Sequence, residues 1–187
     1  MSKHKHKKNK WKNKWDDWRE DFSFNYHRDN AKIYIEAKAY EKMSYYVGLA
    51  DGEISGFGKI RHVPSTSKSK WLNDERWIVE DVEIFKQKCS YGGTTLSGEM
   101  LSQFVVGLIK KGQDPHDWRL WWHSHNDFGV SWSGTDEAAI SQLTEVEGAE
   151  LLSICINKDS DMVSRRDTYG SYKKEELDIR ILPKINM

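Results

Sequence analysis

Residues 118–136 read WRLWWHSHNDFGVSWSGTD, and this stretch bears on both the fold class and the chemistry. Its first part, WRLWWHSH (118–125), is a run of aromatic and apolar residues that predicts a buried strand. The chain then turns irregular through NDFGVSW (126–132). Ser133 follows as the N-cap of a helix, GTDEAAISQLTEV, with Asp136 and Glu137 in the first turn, where the helix dipole favours negative charge.

Working outward, KIYIE (32–36) alternates like a half-buried strand. Residues 37–50 predict a helix with Ala39, Met43, Tyr46, Val47 and Ala50 inward, ended by Asp51-Gly52. ISGFGKIRHV (54–63) is the next strand, and the polar loop 64–76 leads to WIVEDVEIFK (77–86), whose Ile78, Val82 and Ile84 set the inward phase. After a Gly-Gly turn at 92–93, Thr95 or Ser97 opens a helix that runs to Lys111. Downstream of the quoted stretch, AELLSICIN (149–157), DMVSRRDTY (161–169) and EELDIRIL (175–182) are strands. Strands and helices alternate early and strands gather late, which predicts an α+β or three-layer α/β/α domain.

The 187 residues suffice for one domain, read as 31–187, preceded by a tail at 1–30. Basic and acidic residues balance at 29 each, yet seven lysines fall within residues 1–14, leaving the body with 22 basic against 29 acidic side chains. That excludes a basic blanket for nucleic acid over the body and confines any attraction to phosphate to the tail. Such a like-charge run reads as a flexible, solvated arm, or as a docking helix, since Trp11, Trp15, Trp18 and Phe22 fall on one helical face, a stripe suited to the body, a protein partner or single-stranded nucleic acid. No apolar run approaches the roughly 20 residues of a membrane span, and MSKHKHKKNK has no apolar core of a secretory signal, so a cytoplasmic chain is expected. Cys89 and Cys155 are too few for a disulfide framework, and Cys155 lies in an apolar run that reads as core. Trp118, Trp121 and Trp122 read as packing beside the strand, and His4 and His6, among lysines, are assigned no site.

Side chains alternate along a strand, so His123 and His125 project from one face and can reach one ion at about 2.0–2.1 Å from each nitrogen. Three residues along a helix bring Ser133 and Asp136 onto one face, from which Asp136 can complete a set of two imidazoles and a carboxylate. Three protein donors with an open fourth position is the catalytic form of zinc coordination. With this chain's composition, the pattern HxH-x7-S-x2-D arises by chance in roughly two of a thousand chains of this length.

The motif HSH-x7-SGTD, with DGEISGFG about 70 residues upstream after a helix, resembles the JAMM metalloprotease motif of JAB/MPN domains. The resemblance implies a cytidine-deaminase-like sheet flanked by helices and one Zn²⁺ held by His123, His125 and Asp136. It implies Glu53 as the acid/base, with Gly56 three positions on, and Ser133 as the oxyanion partner. The activity it implies is hydrolysis of an amide bond in a peptide or protein by a zinc-activated water, with the C-terminal tail of a ubiquitin-like protein as one substrate class. Asn126 stands where many eukaryotic members have proline, which looks more like the prokaryotic or viral variety. The alternative is a non-catalytic JAB/MPN scaffold or an assembly-binding module acting through residues 1–22.

Overall fold

The computed structural model describes residues 32–66, 75–85, 87, 89–90, 93–94, 97–145, 149–168 and 173–184. The basic Trp-rich tail, the middle of the 64–76 loop, and Gly92 and Thr95 near the Gly-Gly turn lie outside them. The described chain is mixed α/β. Ten strands run β1 (Lys32–Ile35), β2 (Ser55–Val63), β3 (Arg76–Ile84), β4 (Cys89–Ser90), β5 (Gly93–Thr94), β6 (Leu120–Ser124), β7 (Glu150–Ile156), β8 (Met162–Thr168), β9 (Lys173–Glu176) and β10 (Asp178–Ile181). Three helices accompany them, α1 (Ala37–Leu49), α2 (Gly98–Lys110) and α3 (Gly134–Leu143). None is long and apolar enough to cross a membrane.

Eight strands form one sheet in the order β10-β1-β3-β2-β6-β7-β8-β9, with β4 and β5 a separate small hairpin. The expected single strand at 175–182 is two. Leu177 is buried and divides it, so that β9 pairs antiparallel with β8 while β10 pairs parallel with β1. One nearly continuous segment thereby links both ends of the sheet and brings it close to closure, which removes edges that would otherwise invite pairing.

The expected phase of β3 also changes partway along. Trp77, Val79 and Val82 are buried, whereas Ile84 is exposed. The register of β3 against β2 shifts between Lys59↔Asp81 and Ile60↔Val79, leaving Glu80 as the extra residue. An added residue inverts the inside-outside parity of everything beyond it, so of the expected inward positions only Val82, just past the bulge, is buried.

Period-two alternation gives β6 two different faces. Leu120 and Trp122 join Ile33, Val79, Leu152, Ile154 and Ile156 in an aliphatic core covered by Ala39, Met43 and Val47 of α1. Trp121 instead joins Phe57, Trp118 and Leu151 in a second cluster with Leu108 of α2 and Ile140 of α3. Gly56 is required where β2 crosses β3, since a Cβ there would lie 2.1 Å from the Glu83 carbonyl oxygen and 2.8 Å from Trp122 Nε1. A one-turn 3-10 helix at Pro115–Asp117, N-capped by Asp114, leads into β6, so the strand is shorter than the 118–125 run suggests.

Candidate metal centre

The β6–α3–β7 segment is a crossover between two neighbouring parallel strands, and it sets the carboxyl end of β6 beside the amino end of α3. His123 and His125 lie at that strand end, and Asp136 lies in the first turn of that helix. Ser133 caps the helix in a reciprocal box: its Oγ accepts from Asp136 N at 3.2 Å, while Ser133 N donates to Asp136 Oδ2 at 2.7 Å. The cap therefore aims the carboxylate as well as ending the helix.

Asp136 Oδ1 is 3.1 Å from His123 Nε2, and Oδ2 is 3.4 Å from His125 Nε2. Two donors bound tetrahedrally to one ion at about 2.0–2.1 Å stand about 3.3 Å apart, so these separations match shared coordination. His125 Nδ1 lies 3.2 Å from the Gly129 carbonyl oxygen, which can only accept. Nδ1 must therefore carry the proton, leaving the lone pair on Nε2 for a cation. His123 is 3% exposed, and neither ring nitrogen has a hydrogen-bond partner. Its contact with Asp136 has the distance of an ion pair without the alignment of a hydrogen bond, as expected where both groups aim at a third point. A buried polar group without a hydrogen bond costs about 1–3 kcal/mol, and a cation bound there would supply what is missing.

Burial pushes the His123 imidazole below its ordinary range, against the pull of Asp136, and so favours the neutral form that ligates metals. Burial works to raise Asp136, but the His123 contact and the Ser133 hydrogen bonds prevail and hold its carboxyl well below the usual carboxylate range. The donor set of two imidazoles and a carboxylate fits a divalent transition-metal ion.

Glu53 lines the same cleft of about 310 Å³ with His123, His125, Ser133, Asp136, Trp121 and Phe128. Odd positions 53, 55 and 57 share one side of the β2 line, the side on which Phe57 meets the second cluster. Ser124 staples that line to β6, its Oγ accepting from Ile54 N at 3.0 Å and its N–H donating to Ile54 O at 2.8 Å. Burial raises the Glu53 carboxyl; His125 draws it down, and the Asp136 charge adds to the rise. All five site residues expected from the sequence thus meet in one cleft.

Several contributors were not assigned to the site from the sequence. Asn126 is 1% exposed with φ of +47°, and in the amide orientation that satisfies both polar atoms it donates to Gly52 O and accepts from Glu53 N, each at 3.2 Å. The residue noted as replacing proline is therefore the clamp on the Glu53 backbone, and Asn tolerates this left-handed conformation. Trp121 stacks on His123 with ring centroids 4.6 Å apart, Trp132 stands 5.9 Å away, and Arg165 lies 4.6 Å over the Trp132 ring. Trp121 thus does more than pack: it fixes the His123 ring plane.

Cys155, read as core, is fully buried as expected but on the metal side. Its ligand atom groups with those of His123 and His125 within 4.8 Å. Burial pushes its thiol up to about 12. No sequence spacing signals this neighbour, because the pairing of β6 with β7 creates it.

No protein-family profile and no curated protein matches the chain. Among solved structures, the chain is similar to the solution structure of a structural-genomics target from Desulfitobacterium hafniense. The TM-score is 0.56 at 17% identity, covering 82% of this chain and 94% of that one. At that identity the likeness concerns the fold alone.

Proposed function

We propose that this chain is a zinc-dependent peptidase or isopeptidase of the JAMM type, in a three-layer JAB/MPN-like domain. The observation that carries the reading is the convergence of Glu53, His123, His125, Ser133 and Asp136 on one cleft, with the buried His123 ring lacking any hydrogen-bond partner. Helix α1 packing into one cluster and α2 and α3 into the other supports the layered fold.

His123, His125 and Asp136 would hold the ion. When bound, zinc supplies Lewis acidity toward a scissile carbonyl and eases deprotonation of water. Glu53, raised by burial, takes a proton from water in the cleft and returns it to the leaving amine, work worth about 10²–10⁴-fold. Asn126 fixes the backbone that carries it. The Ser133 oxygen is occupied as an acceptor by Asp136 N–H, so its own proton is free to donate to the developing oxyanion. Trp121 and Phe128 give the cleft an apolar wall for an extended peptide, and a ubiquitin-like C-terminal tail is one such chain.

Elemental analysis of the wild type beside folded His125→Ala tests the centre. About one zinc per chain, lost in the variant, is the expected result, whereas a folded wild type that takes no zinc on reconstitution refutes it. Glu53→Gln should then keep zinc and fold while losing hydrolysis of a peptide or ubiquitin-fusion panel. Retained turnover would remove Glu53 from its role.

A further inference from the structure

We infer that Cys155 is a further donor to the ion, so that the centre takes a thiophilic divalent cation through one thiolate in addition to His123, His125 and Asp136. This rests on the metal-centre reading above and goes beyond the JAMM-like donor set. In the parallel pairing of β6 and β7, Cys155 is the register partner of His123, so the two side chains leave the sheet on the same side. Leu152, Ile154 and Ile156 occupy the other phase of β7 and face the aliphatic core, which leaves Cys155 toward the cleft.

The donor atoms of Cys155, His123 and His125 lie within 4.8 Å of one another. Bonds of about 2.3 Å to sulfur and about 2.0–2.1 Å to nitrogen place two donors of one tetrahedral ion about 3.6 Å apart, so the group would close around an ion by about 1 Å at most. The independent observation is His123, nine-tenths buried, with no hydrogen bond to either ring nitrogen and with Asp136 as the ion-pair contact of Nε2. Burial first and the Asp136 charge second hold Cys155 as a neutral thiol in the metal-free protein, outweighing the Ser131 backbone N–H that points at the sulfur. On binding, the metal–sulfur bond replaces the S–H bond, and the proton leaves to solvent.

A soft donor makes the centre favour Zn²⁺, Co²⁺ or Cd²⁺ over Mg²⁺ or Ca²⁺.

Cobalt(II) titration of the reduced full-length protein, followed by absorption, tests this without reference to activity. The wild type should develop visible ligand-field bands together with a near-ultraviolet sulfur-to-cobalt charge-transfer band of one-thiolate intensity. Cys155→Ala should lose the charge-transfer band, and Cys89→Ser should keep it in full. Should Cys155→Ala fail to fold, Cys89→Ser still decides, because only one sulfur from cysteine remains in it. Ligand-field bands without charge transfer in the wild type would overturn the inference and leave the His123–His125–Asp136 centre standing. A charge-transfer band that vanishes in Cys89→Ser, or survives in folded Cys155→Ala, would equally overturn it. A folded wild type that binds no cobalt removes the metal centre itself.

Discussion

The two faces of β6 are almost equally buried and chemically opposite. Leu120 and Trp122, both 0% exposed, sit among aliphatic side chains beneath α1, whereas Trp121 and His123, at 2% and 3%, sit in an aromatic setting beneath α3. The first face contributes through apolar area removed from water, with only the Trp122 indole N–H left without a hydrogen bond. The second holds an imidazole with no hydrogen bond to either nitrogen beside the Asp136 carboxylate, an arrangement that lowers stability unless a ligand completes it. The comparison separates residues that hold the fold from residues that the fold holds for something else.

Substitutions on the two faces test that separation most directly. Trp122→Ala should cost about 3–5 kcal/mol in chemical denaturation. Metal-free His123→Ala should cost at most about 1 kcal/mol, because relief of about 1–3 kcal/mol of unmet desolvation offsets the cavity. Equal costs would make His123 an ordinary core residue. Zinc at about a thousandfold its Kd should then raise wild-type stability by about 4 kcal/mol and leave His123→Ala unmoved.

The seams beside β6 come next. Gly56→Ala forces a Cβ against the Glu83 carbonyl and should destabilise by about 1–3 kcal/mol, while Gly107→Ala, in an open position of α2, should stabilise by about 0.5–1 kcal/mol. Asn126→Ala leaves Gly52 O and Glu53 N without their partner and should cost about 1–3 kcal/mol. Peptide hydrolysis should fall with it while zinc content holds; unchanged turnover would release Asn126 from positioning Glu53.

The smallest effect concerns how α3 is tied down. Arg165 grips Glu137 with two bonds of 2.6 and 3.0 Å, and Lys174 adds one of 2.6 Å. Arg165 first and Lys174 second lower the Glu137 carboxyl to about 2 from an ordinary 4.5. A depressed carboxylate stabilises the fold above its unfolded pKa, so this contribution is complete above about pH 4.5 and disappears as the pH falls through about 2. Glu137 is partly exposed, so solvent screening keeps the contribution below about 1 kcal/mol. Urea midpoints of Glu137→Gln should therefore decline less between pH 5 and pH 2 than those of the wild type, and parallel declines would discount the pair.

Much of the site was legible because its geometry is local. His123 and His125 share a strand face by period two, and Ser133 and Asp136 share a helix turn by period 3.6; each period follows from backbone geometry. The N-cap at Ser97 and the helix boundaries near Ala37 and Gly98 were legible for the same reason. The inward phase of β3 was not, because the bulge at Glu80 depends on the partner strand. Leu177 reads as the middle of an apolar-periodic strand, and its dividing role appears only when β8 and β1 lie on either side.

The sequence by itself determined the alternation of strands and helices and the clustering of His123, His125 and Asp136, since these rest on spacings of a few residues. Tertiary structure alone decided that Asn126 clamps Glu53, that Trp121 and Trp132 flank His123, and that Cys155 lies beside His123 and His125. Each of these depends on which strands become neighbours and in what register, a choice made by burial over the whole sheet, and separation along the chain carries no record of it.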